Sequence, residues 1–171
     1  MIIVNTGNGK GKTTAAIGQI IRSLGRGWKV CLIQLFKGKE FYGEQRILKG
    51  LKGLDFYCFA PKHPGCFPGL SKEKLCVECG QALRKFQEVL GSKKKYDLIV
   101  LEEFNIAVRD GFLDVKDILE SLKTIDSDTN VIVTGRSAHK DLLKIADLVT
   151  EMKEIKHPYH KGIKARKGLE F

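Results

Sequence analysis

A chain of 171 residues fits one domain and leaves little room for a second. Its 43% hydrophobic content supplies a full core, yet no apolar run approaches the roughly 20 residues of a membrane span, so neither a membrane anchor nor a membrane partner is expected. The formal net charge of +10 and pI near 9.4 suit polyanionic partners such as nucleotide phosphates. The densest basic run, "SKKK" (92–95), has no interleaved aromatics and reads as a solvated loop, so no nucleic-acid partner is expected. The opening "MIIVNTGNGKGKTT" lacks a basic start, an apolar stretch and a small-residue cleavage site, which points to a cytoplasmic protein.

Along the chain, short apolar runs alternate with amphipathic stretches. "IIVN" (2–5) is a first strand and is followed by a glycine-rich loop. "KTTAAIGQIIRSLGRG" then repeats apolar residues at helical spacing, at Ala16, Ile20, Ile21 and Leu24, with Gly25 and Gly27 ending the helix. "KVCLIQLF" (29–36) is a second strand, apolar enough to be buried on both faces, with Cys31 in the core. A short helix "GEQRILKGLKG" leads to a third strand, "LDFYCFA" (54–60). "PKHPGCFPG" carries three of the four prolines and is a loop. Ser71 is a helix N-cap for "KEKLCVECGQALRKFQEVL". "YDLIVLEEF" (96–104) is the most hydrophobic strand and belongs at the centre. "LDVKDILESLKT" is helical, "NVIVTG" (130–135) is a strand, "AHKDLLKIAD" is a helix, and "LVTEMKEI" (148–155) is the last strand. The tail from Lys156 has no clear periodicity. This alternation argues for a mostly parallel sheet covered by helices on both faces, in a single α/β domain over 1–171. Right-handed crossovers gather the loops after the strands on one edge.

"TGNGKGKTT" follows a strand and opens a helix, the context a phosphate-binding loop requires. Gly7, Gly9 and Gly11 let the backbone turn tightly so that N–H groups converge on phosphate oxygens, and the helix adds its positive dipole end. Lys12 supplies a point charge and Thr13 a hydroxyl for Mg²⁺. The usual pattern has four residues between its two glycines. Gly7 and Gly11 enclose three, so Thr6 stands where the first glycine would be.

"LIVLEEF" delivers Glu102 and Glu103 to the same edge of the sheet. Successive side chains point to opposite faces, so the two glutamates do different jobs. Glu103 is assigned to the ion and Glu102 to its support; the plain alternative is two solvated carboxylates. "VTGR" brings Arg136 to the same edge, where a guanidinium can brace a terminal phosphate.

Cys58, His63, Cys66, Cys76 and Cys79 fall in one region. They admit a tetrahedral Zn²⁺ site or an iron–sulfur cluster. The spacing C-x9-C-x2-C matches no strong ligand pattern, and small cysteines packed beneath a loop remain the other reading.

In order, "TGNGKGKTTAA", "QLFKG" with "GE" soon after, "YDLIVLEEFNIAV", "VIVTGRSAHKDLLKIADLVTEM" and "KHPYHKGIKARKGLEF" resemble the P-loop ATP:corrinoid adenosyltransferases over nearly the whole chain. The missing first glycine is itself a feature of that family, and the tail is its most specific segment. The resemblance implies a three-layer P-loop NTPase (RecA-like) fold. It implies that a corrinoid Co(I), such as cob(I)alamin or cob(I)yrinic acid diamide, attacks C5′ of ATP and expels triphosphate. By position, Gly7, Asn8, Gly9, Lys10, Gly11, Lys12, Thr13 and Thr14 hold ATP, bound in a reversed sense along the loop. Lys12 and Arg136 neutralise the phosphates, and Thr13 with Glu103 holds Mg²⁺. A separate reductase supplying Co(I) and a homodimeric state are also implied. Well-studied members carry a Phe and a Trp after the third strand that crowd out the lower cobalt ligand. Here the only tryptophan, Trp28, precedes the second strand, which leaves Phe67 or Phe59 to substitute.

Two other readings stay open on the residues alone. A P-loop nucleoside kinase with a cysteine metal site would make ADP, and a basic nucleotide- or RNA-binding regulator would show salt-dependent binding without turnover.

Overall fold

Strands β1 (Ile2–Thr6), β2 (Val30–Leu35), β3 (Leu54–Phe59), β4 (Leu98–Glu102), β5 (Asn130–Thr134) and β6 (Leu148–Glu151) form one sheet in the order β3-β2-β4-β5-β1-β6. The computed structural model describes residues 1–38, 42–62 and 70–171. Every pairing is parallel, so all strands end on one edge. Helices α1 (Lys12–Leu24), α2 (Gly43–Leu48), α3 (Lys72–Gly91), α4 (Phe104–Arg109), α5 (Val115–Lys123) and α6 (Lys140–Ile145) connect them. The arrangement is that of a RecA-like P-loop fold. The glycine-rich loop leaves β1, the acidic pair leaves β4, and one strand, β5, lies between them.

Burial explains the order. All six residues of β2 and all five of β4 are buried, as expected for strands covered on both faces, while the four residues of the edge strand β6 are exposed. One core cluster packs Phe86 and Leu83 of α3 with Ile118 and Leu122 of α5 against Ile33, Leu101 and Val133. The other packs Ala16 and Ile20 of α1 against Leu32, Val100 and Ile132. Together they make three layers.

The sequence-based reading holds for this frame, with local differences. Ser71 caps α3 by accepting from the Lys74 N–H at 3.3 Å. Ile21 is 48% exposed, because it lies one residue, about 100° around the helix, past the buried Ile20. The fourth strand stops at Glu102 rather than running to Phe104. Glu103 adopts φ 66°, a left-handed conformation that turns the chain, and Phe104 starts the short helix α4, whose Phe104, Asn105 and Ala107 are buried. The last strand likewise ends at Glu151, not Ile155. In the tail, Pro158–Lys161 form one 3-10 turn capped by the His157 ring, which accepts from the Tyr159 N–H.

Candidate functional site

The loops after β1, β2, β4 and β5 meet in a cavity of about 560 Å³. Its walls carry the phosphate-loop residues 9–14, Lys37, Glu103 and Arg136, and the tail closes one side through His157 and residues 168–171. Lys10 Nζ ties loop to tail by donating to the Leu169 carbonyl at 2.7 Å.

The glycine loop owes its shape to the chain leaving β6. A Cβ on Gly7 would lie 2.4 Å from the Met152 carbonyl oxygen, and one on Gly9 would lie 2.7 Å from that of Lys153. Gly7 and Gly11 also have φ of 94° and 123°. The Gly9 N–H donates to Met152 O at 2.7 Å, which pins this side of the turn to the chain leaving β6. Thr6, in the place of a first glycine, holds the next loop with its hydroxyl, which accepts from the Ala138 N–H at 3.1 Å. Lys12 folds over the turn, its Nζ donating to the Gly7 and Gly9 carbonyls at 2.7 Å each. Burial lowers the Lys12 pKa; Glu103 and Glu102 oppose that, while Arg136 and Lys37 reinforce it.

The two glutamates do separate. Glu102 is 1% exposed and accepts from the Thr13 hydroxyl at 2.5 Å through Oε1. Lys37 Nζ lies 3.5 Å from the same oxygen and donates to Thr13 Oγ1 at 2.9 Å. Desolvation works against the Lys37 charge, but Glu102, Glu103 and Glu44 outweigh it and raise the pKa. Glu103 faces the cavity. Its carboxyl is pushed up to about 7, chiefly by burial and then by the Glu102 charge, with Lys37, Lys12 and Arg136 pulling it back. Glu102 Oε2 and Glu103 Oε2 are both buried without a hydrogen-bond partner. The Glu103 N–H is held by Thr134 Oγ1 at 3.0 Å, and Gly135 at φ 128° lets β5 pass Asn105 at a distance that a Cβ would close to 2.9 Å.

The loop, Lys12, Thr13, Glu103 and Arg136 are thus together, and Asn8 and Thr14 are exposed at the loop. Lys37 was given no role by sequence reasoning. Its signal was available: "QLFKG" places a lysine two residues past a fully buried strand on the loop edge.

With that geometry in view, the whole chain, residues 1–171, matches the model of the family described as ATP:corrinoid adenosyltransferase BtuR/CobO/CobP. The chain belongs to the ATP:corrinoid adenosyltransferase family. A corrinoid adenosyltransferase from Sinorhizobium sp. is 37% identical over 174 residues, covering all of this chain and 80% of the relative. The corrinoid adenosyltransferase of Escherichia coli strain K12 and corrinoid adenosyltransferase CobA of Salmonella typhimurium are each 33% identical over all of this chain and 85% of their own length. ATP and a corrinoid are the substrates of this enzyme family. Among the described residues no helix is long and apolar enough to cross a membrane.

None of the described cysteines lines the cavity. His63, Cys66 and Phe67 lie outside the described residues. Cys79 is fully buried on the core-facing side of α3, and burial pushes its thiol up to about 12. Cys31 is buried likewise and also pushed up to about 12, as a core cysteine should be. Cys76 and Cys58 are half-buried, with the Cys58 thiol donating to the Lys37 carbonyl at 2.9 Å. Among the described residues, no three His, Cys, Asp or Glu side chains gather to hold a metal ion. Phe59 packs against the core.

Proposed function

We propose that the cavity binds the triphosphate of ATP as a leaving group and so performs the family's transfer of the 5′-deoxyadenosyl group to corrinoid Co(I). The observation that carries this reading is the convergence of Lys12, Lys37 and Arg136, three cations from three separate loops, on one cavity beside the glycine loop. In the transfer, the cobalt electron pair forms a bond to C5′ and the C5′–O bond breaks, leaving its electrons on the triphosphate. Charge therefore grows on the leaving group, and cations already fixed around it stabilise the transition state more than the ground state. The remaining task is alignment of cobalt with C5′ and exclusion of water.

In this reading Gly7, Asn8, Gly9, Lys10, Gly11, Lys12, Thr13 and Thr14 form the nucleotide cradle, with the Gly9 side of the turn held by the strand exit. The oxygen donors of Thr13 and Glu103, with orphaned carboxylate oxygens nearby, suit Mg²⁺, a hard ion that takes few protein ligands and completes its shell with phosphates and water. When bound, that ion would neutralise phosphate charge. Glu102 orients the Thr13 hydroxyl. Phe67 or Phe59 as the side chain displacing the lower cobalt ligand, a separate reductase, a homodimer and a cytoplasmic location belong to the same proposal.

The test is to incubate the protein with ATP, Mg²⁺ and chemically reduced cobalamin and to follow the cobalamin spectrum and the phosphate product. An adenosylated corrinoid with tripolyphosphate is expected. ADP as product, or no adenosylated product over a range of corrinoids, would sink the reading.

A further inference from the structure

Beyond adding to the positive charge of the cavity, Lys37 sits on the Thr13 and Glu102 oxygens, a place that stabilising a leaving group does not by itself require. Its side chain is 11% exposed and its ammonium stands 2.9 Å from Thr13 Oγ1 and 3.5 Å from Glu102 Oε1. The Thr13 proton is already committed to Glu102, at 2.5 Å. The Lys37 contact must therefore use a lone pair of that hydroxyl, the same feature an Mg²⁺ ligand offers. A divalent ion about 2.1 Å from this oxygen and an ammonium 2.9 Å from it would stand about 4 Å apart by tetrahedral geometry, inside a cavity that screens poorly. Two cations totalling three charges do not share that oxygen comfortably. Lys37 also has a second resting place. Glu44 Oε1 is 3.9 Å away and the Tyr42 ring centroid 4.7 Å away, both on the α2 side.

We propose that Lys37 is a tethered cation occupying the Thr13–Glu102 oxygens in the free protein, so that free divalent ions are kept out and the metal enters together with the polyphosphate. It is a positioning residue: it acts through Thr13 and Glu102, and on metal arrival its ammonium turns toward Glu44 and Tyr42. The inference deepens the proposed function and rests on the loop and Thr13 being the nucleotide and metal site.

Mn²⁺ serves as the probe, with its binding to nucleotide-free protein followed by the loss of the free-ion paramagnetic resonance signal. Lys37→Gln keeps N–H donors for Glu102 and Thr13 without the charge, and Lys37→Met removes both; whichever folds suffices. At least tenfold tighter Mn²⁺ binding than in the natural protein is expected for the neutral variant, with Lys37→Arg resembling the natural protein. The gain should vanish when Thr13→Val is added. Unchanged or weaker Mn²⁺ binding in the neutral variant overturns the proposal, and so does a gain that survives Thr13→Val. Titration of ATP in the presence of a chelator, on the natural protein and Lys12→Ala, tests the underlying reading separately. Equal ATP affinity in those two defeats the loop assignment whatever Mn²⁺ does.

Discussion

The two edges of the sheet are built on opposite terms. Where the strands begin, polar groups are paired near solvent. Lys94 and Tyr96 both donate to Asp55, Lys95 pairs with Asp126, the Lys29 N–H donates to Asp97, and the Ile2 N–H donates to Asp147. Where the strands end, the chain is bent out of ordinary conformations and polar atoms go unmatched. The described non-glycine residues with positive φ are Phe36, Ala60, Glu103 and Ser137, and each closely follows a strand C-terminus. Among the described residues, the buried side-chain atoms left without partners, on Gln34, Glu102, Glu103 and Asn105, are at that edge too. Strain and unmatched polarity of this kind persist only where the surrounding structure over-determines them, and they cluster at sites of chemistry. The same strands thus carry a relaxed end and a loaded end.

Substitutions at the loaded end should therefore have the larger consequences. Glu102→Gln leaves the buried Lys37 ammonium without its nearest counter-charge and should cost about 3 kcal/mol of stability, in the range for a broken buried ion pair. Urea unfolding at neutral pH measures it. A loss under about 1 kcal/mol would put this pair on a level with surface pairs and erase the contrast. Lys12→Ala comes next. Removing a charged donor from the cradle should weaken ATP binding about 100-fold, equivalent to about 2.7 kcal/mol, with the circular dichroism spectrum unchanged. Calorimetric titration giving the same affinity as the natural protein would count against the loop.

Gly9→Ala sharpens the comparison without touching a charge. The new methyl would sit 2.7 Å from Lys153 O and 2.8 Å from Met152 O, both backbone atoms that cannot step aside easily. The expected cost is about 2 kcal/mol, with weakened ATP binding because the loop must lift off the β6 exit. Gly18→Ala, nine residues on and in open space on α1, is the control and should be neutral or stabilising by up to about 1 kcal/mol. Equal melting temperatures for the two variants would show that the strand exit does not shape the loop.

Much of this was legible in the residues, and the parts that were not have physical reasons. Period and apolar content marked β2 and β4 as buried strands, and Ser71 announced α3. The glycine loop, Lys12, Thr13, Glu103 and Arg136 were readable because each follows a recognisable strand and parallel strands all deliver to one edge. α4 was missed because the turn into it is a left-handed non-glycine, Glu103, which carries no punctuating residue. The pairing of Thr13 with Glu102 depends on which way two adjacent side chains leave a strand whose last residues bend, and alternation alone does not say which one meets α1. The commitment of the Gly9 amide to Met152 is a long-range contact, set by β6 docking beside β1 and invisible to any local pattern.

The smallest effect belongs to the relaxed end. Asp55 sits below the usual carboxylate range because Lys94 and then Tyr96 donate to it, with its own burial opposing. For a carboxylate depressed in the folded state, the stabilisation is present above the unfolded value of about 3.8 and is lost as pH falls through the lower folded value. Lys94 is 51% exposed and Asp55 30%, so solvent screens the pair, and Asp55→Asn should cost less than about 1 kcal/mol at pH 7. The deficit should shrink as the pH falls from 3.8 toward the lower folded value, below which the natural side chain is neutral in both states. Denaturant unfolding of both proteins at pH 7 and near the acid limit of folding tests the sign. A deficit that held or grew in acid would mean that shape rather than charge stabilises this edge, and the two ends of the sheet would then differ only in degree.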